Sequence, residues 1–243
     1  MTRLQQLSTC LVILGGGLWL GDAAAAPFEV SSAHVGTRAT FQTEAEAAHA
    51  PGVTEWAAPK FKLEAPIIPH HFEFKISDAY GWIDGTGEAR ARGWGDVELE
   101  AKWALARQDH SSVVDLAIEP KWYLPTRARA LGASDERYKF PVMIAHRWGR
   151  LQLTGEVEYT HGLASTPDAL DGGVLATWRL HPALVVGGEI YLTRSFAEDA
   201  ELQPEANLGL KWQMAPRWQL DGLVGHQLRR PEESAKLVLE YAL

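Results

Sequence analysis

Over most of the chain, charged or polar residues alternate with apolar ones at a period of two. The stretch 93–105, GWGDVELEAKWAL, sets Asp96, Glu98, Glu100 and Lys102 on one parity and Val97, Leu99, Ala101, Trp103 and Leu105 on the other. Side chains of an extended chain point alternately to opposite faces, so this is a strand with one charged and one apolar face. A helix would scatter the same charges around its axis. Lys60, Lys62 and Glu64 stand against Phe61, Leu63 and Ala65 in the same way, and His71, Glu73 and Lys75 against Phe72, Phe74 and Ile76. So do Gln152, Thr154, Glu156 and Glu158 against Leu151, Leu153, Val157 and Tyr159, and Glu205, Asn207 and Lys211 against Ala206, Leu208, Leu210 and Trp212. Alternation alone fits a soluble sheet with its charges in water, or a sheet in lipid with its charges inside.

The period predicts about twelve strands, near 37–46, 54–65, 71–79, 95–106, 113–124, 137–148, 150–161, 172–181, 183–194, 204–214, 217–228 and 235–243. Their connections alternate in length. WGR around Gly149, HPA around Pro182 and APR around Pro216 are tight, whereas TRARALGASDER, GLASTPDALDG, SFAEDAELQ and RRPEES are long and polar. Outer-membrane barrels sort their connections in this way, with short periplasmic turns and long external loops, and an even strand count brings both chain ends to the short-turn side.

The tryptophans separate the two environments further. On this strand scheme Trp103, Trp148, Trp178, Trp212 and Trp218 share the apolar parity near the tight-turn ends, and Trp122 with Tyr159 lies toward the opposite end. An indole has an apolar body and one donor, which suits the boundary between hydrocarbon and headgroups, so these residues are membrane-interface candidates. A soluble core would spread them along the strands. The final residues add Leu237, Leu239, Tyr241 and Leu243 in alternation, similar to the terminal strand by which barrel-assembly machinery recognises its clients, with leucine where an aromatic is more usual.

At the other end, Arg3, an apolar run from Leu11 to Leu20 and small residues at Ala23 and Ala25 predict an export signal over residues 1–25. The run is short and glycine-broken for a membrane anchor. The single cysteine, Cys10, precedes it and would leave with it. Beyond it no apolar stretch approaches the ~20 residues of a spanning helix. A formal net charge of -8 argues against nucleic acid as a partner.

GWGDVELEAKWAL, followed by SVVDLAIEPKWYLPT, resembles the G-x-GD-x-x-L-x-x-K-x-x-L signature, with a following strand ending in Leu-Pro-Thr, of a family of outer-membrane barrels named for the meta-cleavage pathway of phenol degradation. Gly93, Gly95, Asp96, Leu99, Lys102 and Leu105 carry the match, with Leu124, Pro125 and Thr126 behind them. Members are treated as transporters or channels, so the resemblance implies a fold and a location more than a cargo. Glu100 departs from the small residues typical of its position.

If the apolar face meets lipid, the charged face lines the interior, because a charge at the bilayer midplane costs about 2–4 kcal/mol. The lumen-lining candidates are Glu98, Glu100, Lys102, Asp115, Glu119, Lys121, Glu156, Glu158, Glu189, Glu205, Lys211, Asp221 and Glu240. Acids outnumber bases, which favours cations in an open, wet lumen. In a packed lumen the same charges pair with one another instead. His70, His71, His110 and His181 lie near the tight-turn rim without ligand spacing, so no metal and no cofactor is expected. A lipid-acting enzyme barrel needs a nucleophile with a base in reach. His161 and Ser165 share a loop but lack a third group, and the acid pairs Glu98 with Glu100 and Glu156 with Glu158 are only same-face neighbours, so no catalytic residue is assigned.

The residues thus predict an all-β fold, one antiparallel transmembrane β-barrel of about twelve strands over residues 26–243, behind a signal peptide, in the bacterial outer membrane. Its expected partners are the lipid bilayer, the barrel-assembly machinery through the C-terminal strand, and a small solute passing through; the resemblance points to an aromatic or hydrophobic one. The alternatives are a closed barrel with a binding or anchoring role and a soluble periplasmic all-β binding protein.

Overall fold

The computed structural model describes residues 27–85, 90–128, 131, 135–164 and 166–243. The expected signal peptide and Ser165 lie outside the described residues. Twelve antiparallel strands follow one another around a closed sheet. They are β1 (Thr40–Ala50), β2 (Val53–Ile68), β3 (Phe72–Gly85), β4 (Arg90–Trp94 and Val97–Ala106), β5 (Asp115–Ile118 and Lys121–Leu124) and β6 (Arg137–Trp148). The second half comprises β7 (Leu151–Gly162), β8 (Ala169–His181), β9 (Leu184–Ser195), β10 (Gln203–Ala215), β11 (Trp218–Gln227) and β12 (Glu233–Ala242). Closure comes from β1 against β12, with Thr40 opposite Ala242 and His49 opposite Glu233. The sheet therefore has no unpaired edge.

Three local irregularities interrupt strands in the N-terminal half of the sheet. β5 breaks at Glu119–Pro120, where proline has no N–H to give. The ladder survives the break, because Glu119 N donates to Pro141 and the Pro120 carbonyl accepts from Ala101 N. β2 bulges between Ala57 and Lys60, at Ala58–Pro59, which reverses the parity above it and sends Trp56 outward to stack on Trp82 at 5.5 Å. β4 breaks at Gly95–Asp96, and both pieces stay bonded to β3.

The connections sort largely as expected. Residues 149–150, 182–183 and 216–217 are tight, and Gly149 takes φ +58°, a conformation open to glycine. Among the described connections two depart from the rule: the β1–β2 turn at 51–52 is tight on the long-loop side, and 107–114 is long on the tight-turn side.

The outer face is apolar and exposed. Leu208 is 68% exposed, Val224 61%, Val174 60% and Val157 57%, all in mid-strand. Trp103, Trp122, Trp148, Trp178, Trp212 and Trp218 are likewise exposed on this face. Phe72 packs on Trp103 at 4.9 Å and Tyr241 on Trp218 at 4.7 Å near the tight-turn end. Toward the other end Trp122 stacks on Tyr138, and its indole N–H reaches Glu136 at 2.7 Å. A continuous apolar surface of this extent is the outward band of a membrane barrel. Burial of charge is inverted to match: Lys75, Lys102, Glu73, Glu119 and Glu158 are among the largest fully buried side chains.

Candidate functional site: the barrel interior and its inner strap

The interior is built by the charged parity of every strand, and residues 27–39 run through it before β1 begins. Phe28, Val30, Ala33 and Val35 of this strap are buried. Its course follows its contacts around the inner wall. Glu29 N and Val30 N donate to the two oxygens of Glu189 at 2.8 and 3.0 Å, and Ser31 N donates to Glu156 at 2.6 Å. The His34 ring lies 3.5 Å from Asp115 and 3.2 Å from Arg147. Gly36 N donates to Glu73 at 3.0 Å. The strap thus passes β9, β7, β5 and β3 in turn. Where the strap is buried against the wall its N–H groups need protein acceptors, and the wall acids supply them.

The wall is shaped for the strap's apolar side chains as well. A Cβ at Gly187 would lie 2.7 Å from the Phe28 ring, and one at Gly173 would lie 2.9 Å from Val30. Glycine at these positions lets the strap come close to the sheet. Phe28 and Val30 cluster there with Leu175 and Leu223, with Tyr191 packed against them. Ala33 sits in a second cluster with Ala117, Met143 and Ala145.

On the β2–β5 side, ion pairs occupy the interior. Lys75 Nζ lies 2.6 Å from Glu119, 3.2 Å from Glu73 and 3.7 Å from Glu64. Lys102 lies 3.3 Å from Glu119 and 3.6 Å from Glu73. Lys62 meets Glu100 at 3.2 Å and Glu64 at 3.5 Å. These charges are buried and mutually compensated, as charge out of water must be.

Each residue expected to line the lumen has a definite place. Glu98 accepts from the Tyr123 hydroxyl at 2.6 Å, and Lys121 lies 3.4 Å from Glu158. Glu205 accepts from Ser234 at 3.0 Å, Asp221 from Gln219 at 3.0 Å and Glu240 from Gln42 at 2.9 Å. Lys211 stands opposite Asp221 across the β10–β11 pair. Glu100, Lys102, Glu119, Asp115, Glu156 and Glu189 hold the partners described above. Within this set Lys102 meets Glu119 and Lys121 meets Glu158 as opposite charges, and Lys211 faces Asp221. Sequence reasoning missed Glu73, Lys75, Glu64 and Lys62, although all four lie on the charged parity, and it missed the strap.

Residues of the signature also meet in space. Thr126, after Leu124 and Pro125, accepts Val97 N at 2.8 Å and donates to the Gly95 carbonyl at 3.3 Å. Asp96 accepts Arg127 N at 3.1 Å and lies 3.2 Å from the Arg127 guanidinium and 3.4 Å from that of Arg137. The break in β4 is therefore the anchor of the long connection that begins at Pro125.

Other candidate groups stay apart. His70 and His71 share the β2–β3 turn, His110 lies in the 107–114 connection and His181 ends β8. Among the described residues no group of three histidine, cysteine or carboxylate side chains gathers as a metal would need. His161 lies 3.1 Å from Asp168.

Solved structures share this architecture. An outer-membrane channel from Pseudomonas putida F1 superposes with a TM-score of 0.69 at 13% identity, covering 86% of this chain and 96% of that one. NanC porin gives 0.62 at 9% identity, with 84% and 100% covered. KdgM porin gives 0.57 at 12% identity, with 83% and 99% covered. At such identities the likeness is one of fold, which is that of outer-membrane channels. No curated protein matches the sequence. The profile of the family described as "Putative MetA-pathway of phenol degradation" matches residues 26–235, and the chain belongs to that family.

Proposed function

We propose that this protein is a bacterial outer-membrane channel that passes a small solute through the barrel, along a route that the strap shares. The observation that carries this reading is the inversion of the sheet: a closed barrel with an exposed apolar exterior and a buried, charged and hydrogen-bonded interior. That arrangement is stable only across a membrane, and a polar interior there supports a route for solutes. The apolar cluster of Phe28, Val30, Leu175 and Leu223 gives part of the interior a surface for an aromatic or hydrophobic solute, in keeping with the description of the family. Residues 1–25 act as the export signal in this reading, the tryptophans on the outer face form its interface girdle, and the C-terminal strand is presented to the assembly machinery.

The buried strap and the ion pairs also favour a second reading, a barrel that stays closed and binds. Swelling of liposomes carrying the refolded barrel, in an iso-osmotic pentose, separates the two. Swelling faster than protein-free liposomes is expected of the channel. Equal rates from a barrel verified by heat-modifiable mobility leave the closed barrel.

A further inference from the structure

Below the strap, at the tight-turn end, the interior opens into a cavity of about 90 Å³. Its lining includes Arg147, Arg150, Arg179 and Lys211, and no carboxylate. In a chain of net charge -8 whose interior walls are rich in acids, this concentration of positive charge is local to one mouth. Asp115 accepts Gln108 N at 2.7 Å and faces His34, and Asp221 accepts from Gln219 and stands opposite Lys211. Among the described residues, no acid pairs with the guanidinium of Arg150 or Arg179. The main chains of these two residues are joined, Arg179 N donating to the Arg150 carbonyl at 2.9 Å.

The cavity is two-sided. Val30 and Leu175, from the apolar cluster of the strap, line it together with Val185, whereas Arg150 belongs to the turn and Arg179 to the last positions of β8. Its apolar residues thus come from the strap and the strands beside it, and its arginines from the rim. Guanidinium presents a planar fork of donors that matches a carboxylate, and a partly enclosed site strengthens that bond over its value in water.

We infer that this mouth is a binding site for a small amphipathic organic anion, a carboxylate on a compact apolar body, with the body against Val30, Leu175 and Val185 and the carboxylate on Arg150 and Arg179. Such a site adds charge selection at the periplasmic end of the barrel, and it holds whether the interior conducts or stays closed.

Isothermal titration calorimetry on the refolded barrel in a zwitterionic detergent tests it, with benzoate as probe and benzyl alcohol and inorganic phosphate as the two controls. Benzoate is expected to bind saturably, and more tightly than either control, since one lacks the charge and the other the apolar body. The double variant R150Q/R179Q should weaken benzoate about tenfold or more, the range for loss of charge-assisted hydrogen bonds. R150K/R179K should recover part of that loss, and heat-modifiable mobility verifies folding of each variant. Absence of benzoate binding, equal binding of benzyl alcohol or phosphate, or unchanged affinity in a folded R150Q/R179Q barrel would each overturn the assignment.

Discussion

Ser31 N donates to the Glu156 carboxylate at 2.6 Å, although the two residues are separated by 125 positions. The bond joins the strap to the wall of β7, and Glu189 makes the equivalent junction on β9 with Glu29 N and Val30 N. Acids that sequence periodicity assigns to the lumen are thus acceptors for main-chain donors buried in the strap.

Removing these acceptors should loosen the strap while leaving the barrel closed. An unsatisfied buried N–H costs about 1–3 kcal/mol, so E156A/E189A forfeits several such terms at once. The strap is followed by maleimide labelling of Ser31→Cys in the folded barrel. Labelling is expected to be slow in the otherwise unaltered protein and at least about tenfold faster with both acids removed. Equal rates would mean that the apolar contacts alone hold the strap.

Asp96 holds Arg127 through its main chain and its guanidinium, and Arg137 at the foot of β6. Asp96→Ala should free the connection beginning at Pro125 without disturbing strand order, because Thr126 still bonds Val97 N and Gly95 O. The measurement is trypsin cleavage at Arg127 on intact cells, which should increase severalfold. Unchanged cleavage would show that the threonine clamp suffices.

The outward face is tested at Leu208, in the middle of β10. Leu208→Arg places a charge in the apolar band at a cost of about 2–4 kcal/mol near the midplane and should reduce the heat-modifiable form recovered from the outer membrane. Leu208→Phe should assemble normally. Equal recovery of the two would contradict the assignment of this face to lipid.

The alternation in GWGDVELEAKWAL and its counterparts carried enough information to read the barrel, its strand number and the sorting of most connections, because a period of two fixes which face each side chain takes. The bulge at Ala58–Pro59 and the long 107–114 connection were not legible, since each depends on pairing partners far along the chain. The strap was missed for a related reason. Its signal is divided between PFEVSSAHV, which alternates too weakly to read as a strand, and inward positions that are small or apolar where the pattern calls for charge: Ala117, Met143, Ala145, Leu175, Leu223 and the glycines at 173, 187 and 209. Those exceptions mark the track of a segment packed against the wall. The basic mouth escaped notice because Arg147, Arg150 and Arg179 stand at strand ends and in a turn, where residues of one sign come from separate hairpins and converge only in the closed barrel.

The most direct test of the central account is single-channel conductance of the refolded barrel in a planar bilayer, compared with that of E156A/E189A. The account predicts discrete steps in the unaltered barrel and larger ones in the variant, because the strap shares the passage and these acids hold it against the wall. Silence from both barrels, each verified by heat-modifiable mobility, would contradict it and leave a closed barrel whose interior serves only to bind.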